Sequence, residues 1–405
     1  MRTATIASFG LALRHTMMHD FRSIVLGGGI VGAATAEVLA RRGERVLLLD
    51  RWRPAHDRGS SHGDGRIIRF TYTEPIYLAM IERAYDAWAD LESRASTVLT
   101  ETTGSWECGS EDSVELRELL QCFERSGIEH ECWTPAESAR RMPHFRLPPG
   151  SLAIYQADGG IVRAGRAVHT LWQLAVDAGA TARSEAHVVG LDADDRGIAV
   201  TLADGTRFTA ETLVVAAGGW TRGLLAPLDL ELPLRVRREM VSHFPIDPHC
   251  GVDHSLRGMP TVIDYHAELP FYALPEIDVP GVKVGWHHSG PLVDPEAPVD
   301  MAENTRILEE VQRYVEARFH HLGTEPTRVI NCLYTETPDY HFILDRHPKA
   351  ERVVVGTGFS GHGFKFGPVA GEILADLAMD REPSFDLDTF RIDRFAGPIA
   401  RRTIA

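Results

Sequence analysis

The chain has 405 residues, 44% hydrophobic and 24% charged, which excludes a disordered chain and suggests about two domains or one large interleaved unit. With 42 basic and 57 acidic residues the net charge is −15, which disfavours nucleic acid and polyanionic membrane surfaces as partners. Cys108, Cys122, Cys132, Cys250 and Cys332 show no CxxC spacing and read as reduced thiols of a cytoplasmic protein, and no apolar run is long enough to span a membrane.

In chain order, residues 1–20 read as a disordered extension or the product of an upstream start. The apolar run from Ile6 to Leu13 is short for a secretory signal, and no A-x-A site follows it. Residues 23–26 form a short buried strand, 27–32 a glycine-rich turn, 33–42 a helix stopped by Gly43, and 45–50 a second strand. The spacing predicts helices over 76–96, 112–127, 135–142 and 166–179. Residues 197–202 and 206–209 flank Ala203-Asp204-Gly205 as a hairpin, and 212–217 is read as a separate buried strand ending in Gly218-Gly219-Trp220. Residues 226–300 alternate like an antiparallel sheet, 303–320 form a helix, 353–356 a strand, and 361–377 a glycine-rich start to a last helix. No HExxH or similar ligand spacing appears among the 19 histidines, so no metal is expected.

Gly27-x-Gly29-x-x-Gly32 between a strand and a helix is a dinucleotide fingerprint. Gly27 permits the tight turn, and Gly29 lets backbone approach a pyrophosphate. Gly32 lets helix and strand pack, and the N–H groups at Ile30 and Val31 open the helix toward phosphate. Asp50, ending the second strand, stands where a ribose-binding acid belongs. The motif alone does not separate FAD from NAD. Two later segments favour FAD. Gly59 to Arg66 is a polar, glycine-rich loop where a nicotinamide enzyme would continue with another βαβ unit. Gly218-Gly219 and the segment from Gly356 to Lys365 would lie at the carboxyl edge of the same sheet. The expected fold is α/β, two-domain. A Rossmann-like FAD-binding domain (21–90, 160–225 and 331–385) is interleaved with an antiparallel-sheet substrate domain (91–159 and 226–330), and 386–405 form a tail.

GSSHGDGRIIR (59–69), KVGWHH (283–288), CLYTETPDYHFILDRHP (332–348) and GFSGHGFKF (358–366) carry a resemblance. The chain resembles the sarcosine oxidase family of FAD-dependent amine oxidases, among the D-amino-acid-oxidase-like flavoproteins, over about residues 21–395. It looks most like the peroxisomal sarcosine/L-pipecolate oxidase branch. Residues 401–405 lack an SKL-type signal, which points to a bacterial-type cytoplasmic enzyme. The resemblance implies covalent attachment of FAD through Cys332. It places Arg66 and His62 by the flavin ring, and Arg69 with Lys365 on the substrate carboxylate. A planar guanidinium suits that grip. It also implies that Lys283, a charge on an otherwise apolar strand, activates O2, and that Tyr272, His287 and Tyr334 line the substrate cavity. The implied cofactor contacts further include Arg51, Ser60, Ser61, Val188, Gly218 and Trp220. Gly358, Gly361, His362, Gly363 and Lys365 complete that set.

The implied reaction is oxidation of a secondary-amine amino acid such as sarcosine, L-pipecolate or L-proline. A hydride passes to flavin, an imine leaves, and O2 becomes H2O2. The expected partners are the amino acid and O2, and the expected state is a monomer. Three alternatives stay open: a flavin dehydrogenase with a protein acceptor, a structural flavoprotein subunit, and an oxidase of a larger biosynthetic or N-methyltryptophan-like amine. Trp286 either narrows or lines the pocket.

Overall fold

The computed structural model describes residues 19–194 and 196–397. The extension expected over 1–20 lies almost wholly outside the described residues, as does the tail beyond 397 with its missing SKL-type signal.

Two eight-stranded sheets and a small three-stranded one organise the chain. The first is built on parallel neighbours. Phe21–Leu26 lies between Arg207–Val215 and Val46–Leu49; Val46–Leu49 continues to Thr181–Arg183, and Arg207–Val215 to Val353–Thr357. Ile30–Arg41, Ala164–Asp177 and Gly367–Ala378 pack with Pro75–Ala95 against the face carrying Val25, Val214 and Val354. The other face, with Ile24, Leu26, Leu213 and Val355, is covered by a second apolar cluster that includes Leu225 and Leu230. Burial on both faces explains why these strands read as continuous apolar runs.

The two strands expected at 206–209 and 212–217 are one, Arg207–Val215. Its first residues pair with Gly197–Leu202 in the hairpin, and its last pair on the same edge with Val353–Thr357. Ala210 and Glu211 sustain extended backbone through that change of neighbour, so the charged residue marks no break.

The second sheet runs in the order Arg328–Glu336, Arg235–Phe244, Val282–Trp286, Phe271–Leu274, Thr261–Asp264, Ser105–Ser110, Ser151–Gln156, Glu131–Trp133. It is antiparallel except where Thr261–Asp264 lies parallel to Ser105–Ser110, two segments joined only by a long crossover. Arg328–Glu336 straddles the 330/331 boundary drawn from sequence, and its whole length pairs with Arg235–Phe244. Met240, Phe244, Ala273, Val282 and Val284 point to one face, where Met301–Arg318 seals them with Ile307, Val311 and Val315. The alternate residues point the other way, toward the first sheet. Arg66–Ile68, Gly160–Val162 and Thr100–Thr102 form the third sheet in the seam.

Candidate functional site

Where Phe21–Leu26 ends, Gly27 turns the chain with φ +97°, and a Cβ there would lie 2.5 Å from the Ala216 carbonyl oxygen. A Cβ on Gly32 would lie 1.8 Å from the Gly27 oxygen, so the third glycine serves helix–strand packing and does not line the cleft beyond. Gly29 meets only Ser61 Oγ at 3.0 Å, which leaves its backbone open to that cleft, and the Ile30 N–H donates to Ser61 Oγ at 3.1 Å. Asp50 accepts from the Gly28 and Trp52 N–H groups at 2.6 and 2.7 Å. Burial raises its carboxyl pKa against those bonds.

The cleft runs along the carboxyl edge of the first sheet. Gly27, Gly29, Ile30, Val31 and Asp50 line it at one end with Arg51, Ser60, Ser61 and Val188. Gly218, Trp220, Gly361 and Gly363 line it farther along, whereas Gly358 does not reach it: a Cβ there would press on Thr337. A glycine turn, a helix start without acidic side chains and a buried acid at the second strand fit an adenine dinucleotide.

A second cavity abuts the cleft, and the two share Arg66, Tyr334, Gly361 and Phe364. Its roof is the inward face of the second sheet: Val241, Ile263, Tyr272, Leu274, Lys283, Ile330, Cys332 and Tyr334. His62, Arg66 and Arg69 come to it from the loop after Asp50, His287 from the end of Val282–Trp286, and His362 and Lys365 from the turn before the last helix. Cys332, His362 and Lys365, expected as cofactor contacts, line this cavity and not the cleft. Four cationic side chains thus line the cavity, and no Asp or Glu does so among the described residues.

Two of those cations have buried carboxylate partners that sequence reading did not assign. Lys283, 3% exposed, donates to Asp64 Oδ1 at 3.2 Å and to the Gly65 carbonyl at 3.0 Å. It is therefore not a strand-end lysine reaching solvent. Burial pulls its pKa below the ordinary lysine value, and Asp64 opposes that. Asp64 is itself pushed up by burial, and Lys283 and His243 more than offset this, leaving it well below the usual carboxylate range. Arg69 gives one nitrogen, Nη1, to Glu107 at 2.5 Å, to Tyr265 Oη at 3.4 Å and to Thr71. Burial disfavours its charge, and Glu107 overcomes that, so Arg69 stays charged. Lys365 Nζ donates to Tyr72 Oη at 2.8 Å.

Two of the imidazoles, His62 and His287, are neutral at neutral pH. Burial brings His62 down to about 4, helped by Arg66 and Lys283, and holds His287 well below its usual value beside His288. His287 Nδ1 and Tyr334 Oη are 3.1 Å apart, and Tyr272 bonds Tyr334 in turn. Gly285 gives the Tyr272 ring its room, since a Cβ there would lie 2.5 Å from it. Burial raises the Cys332 thiol to about 11 against the pull of Arg66. Opposite Cys332 in the strand register stands Glu239, pushed up to about 8 by burial.

Trp286 neither narrows nor lines the cavity: its ring stacks on Phe271 at 5.4 Å, on the face toward Met301–Arg318. Against the expectation of no metal, Cys108, Asp264 and His266 place ligand atoms within 4.8 Å of one another. The chemistry of the set is already spent: Tyr314 and Arg318 hold Asp264, while His266 bonds Asp264 and Ser151 through its two nitrogens. One signal in the sequence pointed to the cavity and was missed. The chain has three lysines, Lys283, Lys349 and Lys365, and two of them line it. A chain that otherwise uses arginine keeps lysine where a compact point charge is needed.

The family model described as "FAD dependent oxidoreductase" matches residues 22–377. The chain is 38% identical to the peroxisomal sarcosine oxidase of Homo sapiens over 384 residues, covering 92% of this chain and 96% of that one. It is 31% identical to the monomeric sarcosine oxidase of Bacillus sp. (strain NS-129) over 390 residues, 94% and 98% of the two chains. Among solved structures, NikD, an unusual amino acid oxidase essential for nikkomycin biosynthesis, superposes with a TM-score of 0.82 at 27% identity, covering 92% of this chain and 97% of that one.

Proposed function

This chain belongs to the FAD dependent oxidoreductase family as an amine or amino-acid oxidase, and we propose that it oxidises a secondary-amine amino acid at the cavity under the second sheet, with O2 as acceptor and H2O2 as product. The observation that carries this reading is a cavity lined by Arg66, Arg69, Lys283 and Lys365 with no acidic lining residue, opening onto the dinucleotide cleft. FAD bound in that cleft supplies the two-electron acceptor that no side chain provides.

The chain's own residues select and orient the substrate. Arg69 spends Nη1 on Glu107, Thr71 and Tyr265, which leaves Nε and Nη2 for a carboxylate, with Lys365 as the second cation. The same positive field disfavours an ammonium, and neutral His62 and His287 bring no anion to stabilise one. The amine is thereby held in its neutral, reactive form. Tyr272, Tyr334 and Phe364 give an apolar wall that excludes water from the α-carbon. Lys283 supplies a fixed positive charge where negative charge develops on O2. That aromatic wall also favours a second reading within the class, an N-alkyl amino acid larger than sarcosine.

Anaerobic mixing with sarcosine, L-pipecolate and L-proline in turn tests the proposal. One of them is expected to bleach the flavin absorbance. If none does, and N-methyl-L-tryptophan does not either, the carboxylate-anchored reading fails.

Cys332 lies beside Leu333, which lines the cleft, and is the proposed point of covalent attachment. Its thiol is mostly protonated at neutral pH, so attachment is expected to quicken as pH rises toward about 11. Acid-denatured protein is expected to keep yellow, fluorescent flavin on the polypeptide, and Cys332→Ala to release all of it. Flavin that washes free from the unaltered protein overturns the assignment. Among the described residues no helix is long and apolar enough to cross a membrane. A monomer working in the cytoplasm is the accompanying proposal.

A further inference from the structure

We propose that Asp64, braced by His243, is the positioning residue that keeps Lys283 charged and aimed into the cavity, an inference that rests on the reading of Lys283 as the oxygen-side cation. Three side chains from distant parts of the chain meet here. Asp64 comes from the loop before Arg66–Ile68, while Lys283 and His243 stand opposite each other on adjacent strands of the second sheet. Lys283 Nζ lies 3.2 Å from Asp64 Oδ1, and His243 Nε2 lies 3.1 Å from Asp64 Oδ2. All three are buried, with His243 at 0% exposure. An ionised carboxylate only accepts, so both the ammonium and the ring Nε2–H donate to it, and His243 carries a proton on Nε2. The Gly65 N–H donates to Asp64 Oδ1 at 2.9 Å, and the Gly65 carbonyl takes a second Lys283 proton at 3.0 Å. A Cβ on Gly65 would lie 2.5 Å from Ile277 and 3.1 Å from Leu274, so a larger residue there would have to displace those side chains, and Leu274 is the strand partner of Lys283.

The need for such a residue follows from what surrounds the ammonium. His62 and Asp64 face it from the loop, Arg66 from the third sheet, His243 from its neighbour strand and Cys332 from Arg328–Glu336. Burial and Arg66 drive its proton off, and Asp64 is the carboxylate that holds it on. A lysine carries charge below its pKa and loses it as pH rises through that value. Removing Asp64 therefore moves the loss to lower pH.

With three lysines in the chain, ¹⁵N-lysine labelling of the holoenzyme gives three Nζ resonances, assigned with Lys349→Arg and Lys283→Met. Lys283 is expected to be charged at neutral pH in the unaltered protein and to lose its charge at a lower pH in Asp64→Asn, with Lys349 and Lys365 unmoved. Stopped-flow reoxidation of Asp64→Asn is expected to be slower by about tenfold above the pH at which its Lys283 resonance titrates and to recover as the pH falls, while anaerobic reduction by substrate stays near the unaltered rate. A Lys283 midpoint in Asp64→Asn within about half a unit of the unaltered one overturns the inference. Should Asp64→Asn fail to hold flavin, the unaltered titration decides, and a Lys283 resonance already uncharged at neutral pH overturns it. If Lys283→Met reoxidises at the unaltered rate, the oxygen role of Lys283 fails, whatever the resonances show.

Discussion

Lys283→Met is expected to slow reoxidation of the reduced enzyme by roughly 10²- to 10³-fold, the usual cost of deleting one preorganised charge at a site of developing charge. Flavin reduction by the amino acid is expected to change little, because the proposed carboxylate anchors are two other cations of the cavity, Arg69 and Lys365. Methionine keeps the length and the apolar stem while removing the charge, so the inward face of Val282–Trp286 keeps its packing. Asp64 is left without its ammonium partner but retains the His243 and Gly65 bonds. Anaerobic reduction followed by mixing with oxygenated buffer separates the two half-reactions. Equal slowing of both would mean that Lys283 serves substrate binding, and the oxygen assignment would fall.

Arg69→Ala removes two things at once, and the structure shows how to separate them. Losing the carboxylate grip is expected to raise the Kd for the amino acid by roughly 10²-fold or more, in the range of truncating one partner of a buried charged pair. The same change strands Glu107, 1% exposed, without its arginine, which is expected to cost about 3–5 kcal/mol of stability. The double variant Arg69→Ala/Glu107→Gln leaves no uncompensated charge. It is expected to recover most of the thermal stability and none of the affinity. Thermal unfolding and substrate titration of both variants check this. Recovery of affinity in the double variant would show that Arg69 serves the fold and not the substrate.

Much of the site could be read without coordinates because its signals are local. The turn at Gly27 depends on a few consecutive residues, and so does the helix that begins at Ile30. Lys283 was conspicuous because an unpaired charge is costly on a strand reading Val-Lys-Val-Gly. The demand for a partner was legible, but its identity was not: Asp64 lies 219 positions away in the chain, and its own loop offers no pattern that names a lysine. Glu107 is a parallel case. On Ser105–Ser110 it sits between Trp106 and Cys108 in a strand whose inward residues are known only once the parallel pairing with Thr261–Asp264 sets the face. Trp286 shows the same limit. Its sequence neighbours His287 and Lys283 line the cavity, yet its ring goes to the other face of the sheet.

The amino-acid sequence by itself determined the dinucleotide turn, the acid at the end of the second strand, the helix spans to within a few residues and the identity of the polar side chains proposed for the site. Each of these is set by backbone geometry or periodicity over a short stretch. Only the tertiary structure decided which carboxylate holds which cation, which residues of the second sheet face the cavity, and where that cavity meets the cleft. Those choices depend on strand register and on the packing of segments far apart in the chain. A shift of one residue in the register of any one of these strands would turn its inward side chain, Lys283, Tyr272 or Cys332, away from the cavity.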